Sequence, residues 1–391
     1  MVSTKYYEFS VEKPLNREPP VDELVRNYLT EVDGYDRNHG PIPHIDPDAH
    51  TVHVDGLVRS PLTLSISDLR ARFPQHTVVA ALQCAGNRRH TMRTKLREVQ
   101  GIDWGDGAVM NCLWSGPRLR DVLIATGVEL DADTGSYDGK HAAFACHQTQ
   151  VQQDEWYGAS VPLERAMSVD AEAIVALDMN SSPLTPYHGG PVRIILPGIA
   201  GARCVKWLDR ITVQARDSPN FYQHFDYKVL PPHVTSSEEA EPVWPAVPPL
   251  LEMPANSVVA TPRCGATAVA DADGCVGAKG YALPSGDGGP VVKVEVSGDG
   301  GVTWQMAKIL EPPKKLVDVG LSLKWAWVLW QARVKVAEGT GRKILSRATD
   351  ISGNTQSAEP VWNLRGVAYD GYGEADDLTV VKEIQPAQAV L

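Results

Sequence analysis

Residues 82–89 read L-Q-C-A-G-N-R-R and directly follow a strand-like run, Thr77 to Ala81, that is rich in valine and alanine. We predict a strand that ends in a turn at Gly86 and presents Cys84 beside two arginines. A thiolate is a soft ligand for a transition metal, and nearby cations stabilise the anionic form of a thiol. Arginine side chains also match the shape of a small oxyanion. The stretch therefore offers a metal ligand and anion-binding groups, although a single cysteine after a strand more often packs in a core.

Composition indicates a globular protein with no affinity for nucleic acid. The chain has 391 residues, of which 43% are hydrophobic and 22% charged, enough for two or three domains with substantial cores. The formal net charge is −11, which excludes a broad basic surface. An acidic protein that binds an anion must concentrate positive charge locally, so clusters of arginine carry more weight here.

The six cysteines and the chain ends suggest a cytoplasmic protein. No two cysteines form a C-x-x-C pair, which argues against a zinc ribbon or a thioredoxin-like motif, and their irregular spacing is typical of reduced thiols. Residues 1–10 contain neither an apolar signal core nor twin arginines, and residues 389–391 do not match the peroxisomal S-K-L signal. No apolar run approaches the roughly 18 residues that cross a membrane. We therefore expect no membrane association.

The octet at 82–89 resembles the signature of the sulfite oxidase family, the molybdenum enzymes that also include eukaryotic nitrate reductase. In that family the cysteine binds molybdenum and the second arginine lines the substrate pocket. The resemblance implies these roles for Cys84 and Arg89. It extends over about residues 5–368, so the remaining motifs can be compared with the family one by one.

A second motif, Y-D-R-N-H-G-P-I-P, occupies residues 35–43. Two prolines and a glycine exclude a regular helix, so these residues form a loop, which without further context is a solvated surface loop. The motif resembles the family's R-N-H-x-P-x-P loop, which contacts the pterin cofactor and supplies an arginine to the substrate pocket. That arginine corresponds to Arg37. The implied cofactor contacts in this loop are Tyr35, Asp36, Arg37, Asn38 and His39.

A third motif follows an apolar strand predicted at residues 192–196. The glycine-rich turn after it exposes backbone N–H groups that can bind phosphate, although a plain tight turn has the same composition. Residues 188–207 resemble the family's H-G-x-P-x-R and P-G-x-x-G-A-R-x-V-K-W motifs, which hold the pterin and its phosphate. The implied contacts are His188, Arg193, Cys204, Val205 and Lys206, with Cys204 contributing backbone because relatives carry serine or histidine there.

Five further residues take their roles from the resemblance. Trp104 corresponds to a wall of the substrate pocket, and Tyr227, in D-Y-K, corresponds to a hydroxyl beside the metal. Ser160 belongs to a shared Y-G-A-S turn. Gln148 stands where relatives carry an aspartate that contacts the cofactor. Arg365, in V-W-N-L-R-G-V, corresponds to a substrate-pocket arginine from which nitrate-reducing relatives depart, so it favours sulfite.

Several elements can be predicted from the pattern of apolar and turn residues. We predict helices at residues 21–29, at 67–73 with Ser67 as the cap, and at 118–126 with Gly127 ending the helix. We expect a half-buried strand at 52–57, a buried strand at 173–177, and a basic loop over the site at 90–100. Residues 230–250 contain six prolines and three glutamates, a linker composition, and we place a domain boundary at about 240.

The sequence of the second half of the chain predicts an all-β domain. Strand-like runs lie at residues 258–261, 291–296, 304–309, 325–336 and 344–348, with a hairpin signal at 297–301. Regular short strands of this kind suggest an immunoglobulin-like β-sandwich. The family's usual Trp-His-Arg is missing after Val367, and we expect the tail beyond it to be disordered.

The strand predicted at 325–336 carries Trp325, Trp327, Leu329 and Trp330. One face of such a strand can enter the core of its own domain, and the other face needs a separate cover. A partner subunit is one source of cover, and the linker or the first domain is the other. With the family resemblance, we take this strand as an indication of a homodimer.

The resemblance implies an α+β fold, with a molybdopterin-binding catalytic domain at residues 1–240 and an immunoglobulin-like dimerisation domain at 241–391. It implies oxidation of sulfite to sulfate by oxygen-atom transfer at a molybdenum–molybdopterin centre, with the metal held by the pterin dithiolene and Cys84. Arg37, Arg89 and Arg365 offset the charge of the substrate, and Tyr227 donates a hydrogen bond.

The sequence contains neither an H-P-G-G cytochrome b5 motif nor C-x-x-C-H, so we expect neither haem nor flavin and a plant-type organisation. The electron acceptor is then oxygen or a separate protein. Three alternatives stay open: the molybdenum domain of a nitrate reductase, a hydrolase using Cys84 with His188, and a non-catalytic adhesion module confined to residues 251–391.

Overall fold

The computed structural model describes residues 10–382 except 32–33, 129, 131–134 and 138. The predictions about a leader in residues 1–9 and about the signal at 389–391 lie outside these residues. Within them, no helix is long or apolar enough to cross a bilayer.

The first part of the chain combines short strands with short helices. Its strands are β1 (Asn16–Arg17), β2 (Asp36–Arg37), β3 (Thr51–Gly56), β4 (Leu62–Ser65), β5 (Gln75–Gln83), β6 (Val109–Pro117), β7 (His141–Cys146), β8 (Tyr157–Pro162), β9 (Ile174–Ala176), β10 (Asp178–Met179), β11 (Ser182–Pro183), β12 (Arg193–Ile195) and β13 (Arg210–Gln214). Its helices are α1 (Val21–Leu24), α2 (Ile66–Ala71), α3 (Arg89–Lys95), α4 (Leu119–Ala125), α5 (Leu163–Met167), α6 (Phe221–His224) and α7 (Ser237–Ala240).

Two sheets carry the core of this part. One has the strand order β4-β3-β13-β7-β8, in which β13 runs parallel to β3 and antiparallel to β7. In β3, Val52 and Val54 are buried and His53 between them is exposed, because successive side chains point to opposite faces of a strand. The other sheet has the order β11-β10-β6-β5. Its long hairpin pairs Gln75 with Pro117 through to Gln83 with Val109, which brings β5 to its end at Cys84.

Two predicted helices lie where they were expected, but one of them begins at a different residue. Helix α4 is confirmed, and Gly127 follows it at φ +71°, a conformation that glycine adopts without strain. Helix α2 begins after Ser65 and not after Ser67. Ser65 accepts a hydrogen bond from the Asp68 backbone, and the Asp68 carboxylate accepts one from the Ser65 backbone, so a reciprocal cap decides the start.

One helix prediction is wrong in extent, and one predicted loop contains a helix. The helix predicted at 21–29 covers only α1, four residues long. Residues 90–95 of the basic loop predicted at 90–100 instead belong to helix α3, whose own Met92 side chain is fully buried. One apolar residue in a polar stretch was too weak a pattern to predict this helix.

The second part is a two-layered β-sandwich. Its strands are β14 (Asn256–Thr261), β15 (Thr267–Ala270), β16 (Cys275–Leu283), β17 (Val291–Ser297), β18 (Gln305–Met306), β19 (Lys308–Ile309), β20 (Val328–Lys335), β21 (Gly339–Asp350) and β22 (Gly373–Lys382), with helix α8 (Lys314–Asp318) between β19 and β20. One sheet has the order β14-β16-β20-β19 and the other β15-β22-β21-β17-β18. The two layers confirm the sandwich that was predicted.

The sequence reading missed β15, β16 and β22. Glycines at 277 and 280 interrupt the pattern of β16, and β22 lies in the tail that was expected to be disordered. That expectation is wrong as far as Lys382, because β22 pairs with both β15 and β21. The described part of the tail therefore forms an interior strand of the second sheet.

The segment 230–250 is only partly a linker. Val234 and Ala240 are buried against Trp362 and Leu364, so this proline-rich stretch packs on the second half of the chain. The predicted boundary at residue 240 falls at the end of α7 and stays a prediction.

The tryptophan-rich segment is covered within the chain itself. Strand β20 begins only at Val328, and Trp325 and Trp327 precede it. The indole N–H of Trp325 donates to Glu172 at 2.8 Å, and that of Trp327 donates to the Tyr28 carbonyl at 2.8 Å. All four large side chains of this segment are buried in the single chain. The argument for a partner subunit from this strand is therefore wrong, since the first part of the chain provides the cover.

We predict that Trp327→Ala lowers the free energy of unfolding by about 3–5 kcal/mol, because it leaves a cavity between the two parts of the chain and an unpaired Tyr28 carbonyl. Denaturant unfolding followed by circular dichroism measures the loss. Trp304→Ala, at a half-buried site on the sandwich, is the control with a smaller loss. An equal loss in both variants contradicts the special role of Trp327.

Candidate active site

Strand β5 delivers Cys84 to a turn that backbone hydrogen bonds define. The Cys84 N–H donates to the Ala108 carbonyl at 2.9 Å, and the Asn87 N–H donates to the Cys84 carbonyl at 3.0 Å. The Asn87 side chain accepts from the Ala108 N–H at 3.1 Å, so the turn is pinned to the start of β6. The thiol is buried, and burial raises its pKa, with Arg89 and Arg37 opposing the rise. The raised pKa favours the neutral thiol, and a cation bound beside the sulfur would favour the thiolate.

The Arg89 side chain lies against three glycines, Gly86, Gly101 and Gly366. Its Nε donates to the Arg365 carbonyl at 3.0 Å and its Nη1 to the Ile102 carbonyl at 2.7 Å. A Cβ added at Gly86 would come within 2.5 Å of the Arg89 guanidinium carbon, and one at Gly101 within 2.8 Å. A side chain at either position would displace the guanidinium, so the glycine of the octet is required by the arginine that follows it.

The second part of the chain docks on this turn through residues 363–372. The Ala368 N–H donates to the Ala85 carbonyl at 2.9 Å. Arg88, in the left-handed conformation at φ 67°, donates to the Gly371 carbonyl at 2.6 Å and lies 4.8 Å above the Tyr369 ring. The sequence predicts anion binding for both arginines of the octet, whereas the structure uses Arg88 to hold the second part of the chain.

Arg365 reaches the site by this docking and pairs with Asp226. Its Nη2 lies 2.9 Å from Asp226 Oδ1, and the same oxygen accepts from the Tyr227 N–H at 2.7 Å. Tyr227 has φ 52°, which is strained for a residue with a side chain. Asp226 therefore ties Arg365 to the turn that presents Tyr227. The sequence reading missed Asp226, although it is the first residue of D-Y-K.

A cavity that opens to solvent adjoins Cys84, with about 730 Å³ of empty space when the solvent at its mouth is included. Ten of the residues singled out from the sequence line it: Tyr35, Arg37, Asn38, His39, Cys84, His188, Arg193, Cys204, Lys206 and Tyr227. Others on the wall were not foreseen, among them Tyr157, Tyr187, Met110 and Trp207. Tyr157 and Trp207 belong to the Y-G-A-S and V-K-W motifs but were given no role there, and nothing in the local sequence of Met110 and Tyr187 marked them.

Three residues expected at the substrate lie beside this cavity and not on its wall. Burial lowers the pKa of Arg89, and the nearby charge of Arg365 acts in the same direction. Trp104 is buried in the main core, and its indole N–H has no hydrogen-bond partner among the described residues. The pocket role predicted for these residues stays a prediction.

Four expected cofactor contacts are not on the wall. Gln148 is exposed and donates to Asp209 at 2.9 Å, on a separate cleft lined by His50 and His147. Ser160 is buried, where its hydroxyl accepts from the Ser218 N–H at 2.8 Å. The remaining two are Asp36, which pairs with Arg17, and Val205, whose side chain packs in the core. The structure does not bring these residues to the cavity, because each has partners elsewhere.

An N-terminal ribbon holds the loop at 35–43. Strands β1 and β2 pair Asn16 with Arg37. The Asn16 side chain accepts from Arg37 Nη1 at 3.2 Å and from the Asn38 N–H at 3.1 Å. Asn38 in turn donates to the Leu15 carbonyl at 2.8 Å and accepts from Lys206. Asn16 was not a candidate residue, because a single asparagine in a polar stretch carries no signal.

Cations collect at the end of the cavity formed by residues 188–207. Arg193 donates to the carbonyls of His188 at 2.8 Å and Cys204 at 3.0 Å, while its buried Nε has no partner in the described part of the chain. Burial lowers the pKa of Lys206 to about 7, and Arg193 and Arg37 act in the same direction. Like charges held together out of water favour the binding of an anion.

The donor set fits a cofactor that carries both a phosphate and a metal. Arg193 and Lys206 provide charge-assisted donors for a phosphate, and Cys84 provides a sulfur ligand. The described residues form no cluster of three His, Cys, Asp or Glu side chains that could hold a metal by themselves. A metal beside Cys84 would need ligands other than such a cluster, and the cavity has a polar lining that fits an organic group.

Two family models match the chain. Residues 39–222 match the oxidoreductase molybdopterin binding domain, and residues 248–373 match the Mo-co oxidoreductase dimerisation domain. The sulfane dehydrogenase SoxCD from Paracoccus pantotrophus has a similar structure, with a TM-score of 0.71 at 22% identity over 96% of this chain and 90% of that chain. At this identity the likeness shows the fold alone.

Curated relatives are similar over nearly the whole chain. Sulfite oxidase of Gallus gallus is 40% identical over 91% of this chain and 74% of its own length, and sulfite oxidase of Arabidopsis thaliana is 37% identical over 92% and 90%. The mitochondrial sulfite oxidase of Homo sapiens is 40% identical, and the chain spans 63% of its length. On the strength of these matches, the chain belongs to the sulfite oxidase family of molybdopterin-dependent oxidoreductases.

Proposed function

We propose that this protein oxidises sulfite to sulfate at a molybdenum–molybdopterin centre. The observation that carries the proposal is the buried Cys84 thiol at a cavity lined by cations, with two further arginines beside it. The names of the relatives, sulfite oxidase in chicken and in Arabidopsis, support the same reaction.

Different cavity residues would bind different parts of the cofactor. Cys84 is the protein ligand of the metal. Arg193, Lys206 and His188 receive the phosphate, and Asn38 positions Lys206 by accepting its hydrogen bond. When bound, this cofactor supplies a two-electron redox centre and a transferable oxygen atom, and the protein supplies position and electric field.

The arginines bind and orient the substrate anion. Arg37, Arg89 and Arg365 approach from the N-terminal loop, the Cys84 turn and the docked second part of the chain. Arg89 and Arg365 are each held by only part of their guanidinium group, which leaves N–H donors for an oxyanion. Burial raises the pKa of Tyr227 to about 12, so its hydroxyl keeps its proton and can donate it to an oxygen.

We also propose an oligomeric state, a cellular location and an electron acceptor for this protein. We infer a homodimer, which the match to a dimerisation domain supports, and a cytoplasmic protein without haem, flavin or membrane contact. Oxygen or a separate redox protein accepts the electrons. The net charge of −11 makes nucleic acid an unsuitable partner.

A nitrate-reducing function is the second candidate. A nitrate reductase from Ulva prolifera is 35% identical over 95% of this chain, which spans 43% of that protein. Arg365 favours sulfite, because nitrate-reducing relatives depart from arginine at this position. Parallel assays with sulfite as electron donor and with nitrate as acceptor separate the two functions.

Cys84→Ser is expected to abolish sulfite oxidation without unfolding the protein, because serine fills nearly the same volume but removes the soft metal ligand. Steady-state assays and thermal unfolding measure the two effects. Cys264→Ser, at an exposed thiol, is the matched control and should keep full activity. Full activity in purified, metal-loaded Cys84→Ser protein contradicts the assignment.

Arg365→Met is expected to raise the KM for sulfite roughly tenfold to a hundredfold and to change kcat less, because a charge-assisted bond to an anion contributes about 1.5–3 kcal/mol. Arg333→Met removes an exposed arginine paired with Asp271 and serves as the control. An unchanged KM in Arg365→Met protein would show that Arg365 does not bind the substrate.

The purified protein is expected to show neither a haem Soret band nor flavin absorption, because the sequence contains no motif for either group. Absorption spectroscopy between 350 and roughly 600 nm tests this together with metal analysis for molybdenum. A stoichiometric haem spectrum overturns the haem-free assignment and leaves the sulfite-oxidising centre in place.

A further inference from the structure

Glu18 lies between the N-terminal ribbon and the loop that supports the Cys84 turn. One of its carboxylate oxygens accepts from the Gly105 N–H at 2.8 Å, and the other accepts from the Gly107 N–H at 2.6 Å. We propose that Glu18 is a positioning residue that fixes the loop at residues 104–108 and, by its charge, lowers the reduction potential of the metal at Cys84. The effect on the metal rests on the proposed function, whereas the hold on the loop does not.

One peptide unit of the loop connects Glu18 to the helix that follows the Cys84 turn. The N–H of Gly105 donates to Glu18, and the carbonyl of the same peptide, that of Trp104, accepts from the His90 N–H at 2.8 Å. An anionic acceptor polarises the peptide, which strengthens the hydrogen bond that its carbonyl receives. Glu18 therefore supports the position of Trp104 and of the first turn of helix α3.

A second peptide unit connects Glu18 to the turn itself. The N–H of Gly107 donates to Glu18, and the Asp106 carbonyl of that peptide accepts from the Tyr281 hydroxyl at 2.7 Å. The Tyr281 oxygen accepts in turn from the Asn87 side chain at 3.0 Å. Asn87 belongs to the octet at 82–89, so this contact of Glu18 leads to the segment that presents the metal ligand.

The loop approaches the N-terminal segment too closely for side chains at its glycines. A Cβ added at Gly107 would lie 2.3 Å from the Pro19 carbonyl oxygen, and one at Gly105 would lie 3.2 Å from the Glu18 carboxylate. A residue before proline favours an extended conformation, which limits the positions that Glu18 can take. Both loop N–H groups reach the carboxylate because the residues that carry them are glycines.

The same N-terminal segment holds the other loop of the site. Asn16 lies two residues before Glu18, and its side chain accepts from Arg37 Nη1 at 3.2 Å. Successive side chains of an extended chain point to opposite sides, so those of Asn16 and Glu18 share one side. Residues 16–18 therefore connect the loop that carries Arg37 with the loop that supports the Cys84 turn.

The charge of Glu18 acts on the Cys84 sulfur. Burial raises the pKa of Cys84, and the Glu18 charge contributes in the same direction, against Arg89 and Arg37. Burial raises the pKa of Glu18 as well, and the two loop N–H groups oppose that rise by stabilising the carboxylate. A carboxylate close to a metal repels an added electron, so the loss of this charge should make reduction of the metal more favourable.

Two substitutions separate position from charge. Glu18→Gln keeps the length of the side chain, but it removes the charge and turns one of the two acceptors into a donor. Glu18→Asp keeps the charge and withdraws both oxygens from the loop by one methylene. Glu12→Gln, at an exposed glutamate of the same N-terminal segment, is the matched control.

Hydrogen exchange of the purified full-length protein tests the hold on the loop. Mass spectrometry of the peptide that contains Gly105 and Gly107 measures the protection of these two amides. We expect exchange there to be about tenfold to a hundredfold faster in both Glu18 variants, because each loses a charge-assisted hydrogen bond, and unchanged in Glu12→Gln. Unchanged exchange in the Glu18 variants, or an equal increase in strand β3, overturns the proposal. This result does not depend on metal or substrate, so it can fail while the proposed function holds.

A redox titration of the molybdenum-loaded protein, followed by electron paramagnetic resonance, tests the effect of the charge. We expect Glu18→Gln to favour the reduced metal about twofold to tenfold at a fixed potential, where tenfold corresponds to about 59 mV for a one-electron step. Glu18→Asp and Glu12→Gln should keep the midpoint of the unchanged protein. A carboxylate that only tied the loop down would give one midpoint in all variants. That outcome, or an equal shift in both Glu18 variants, overturns the proposal.

Discussion

The burial of Arg88 joins the two parts of the chain around the site. Its guanidinium is almost fully enclosed, 3.3 Å from the Asp106 carboxylate and 2.9 Å from the Asn256 side chain. Removing one member of a buried ion pair leaves the other uncompensated, at a cost of about 3–5 kcal/mol. Since Arg88 lies between the Cys84 turn and residues 369–372, the site keeps its geometry only while the β-sandwich stays docked.

This docking explains how one site draws on distant parts of the sequence. The Cys84 turn, the loop that carries Arg37 and the segment that carries Arg365 are separated by tens to hundreds of positions. Gly366 packs against Arg89, and a Cβ there would lie 2.7 Å from the Arg89 side chain. The β-sandwich therefore contributes to the site directly, whatever its part in a dimer.

Electrostatics give the site its preference for anions. Arg37, Arg193 and Lys206 line one cavity in a protein whose net charge is −11. Burial lowers the pKa of Arg193 and of Lys206, and a phosphate or an oxyanion bound beside them would offset this effect. The same field acts on neutral groups, since Arg37 and Arg365 help to keep His39 uncharged.

The sequence alone was sufficient to predict the family, the two-part fold and ten residues of the cavity wall. Each of these predictions depends on short motifs whose residues are close together in the chain. Tertiary structure alone decided the rest. Three residues, Asn16, Arg88 and Asp226, act through partners that are distant in the sequence. Gln148 lies outside the cavity because its side chain is hydrogen-bonded to Asp209. The tryptophans near 325–330 could be predicted to need cover, but only the packed chain shows that the first part provides it. Local patterns report what a residue can do, whereas burial and partners depend on segments that meet only after folding.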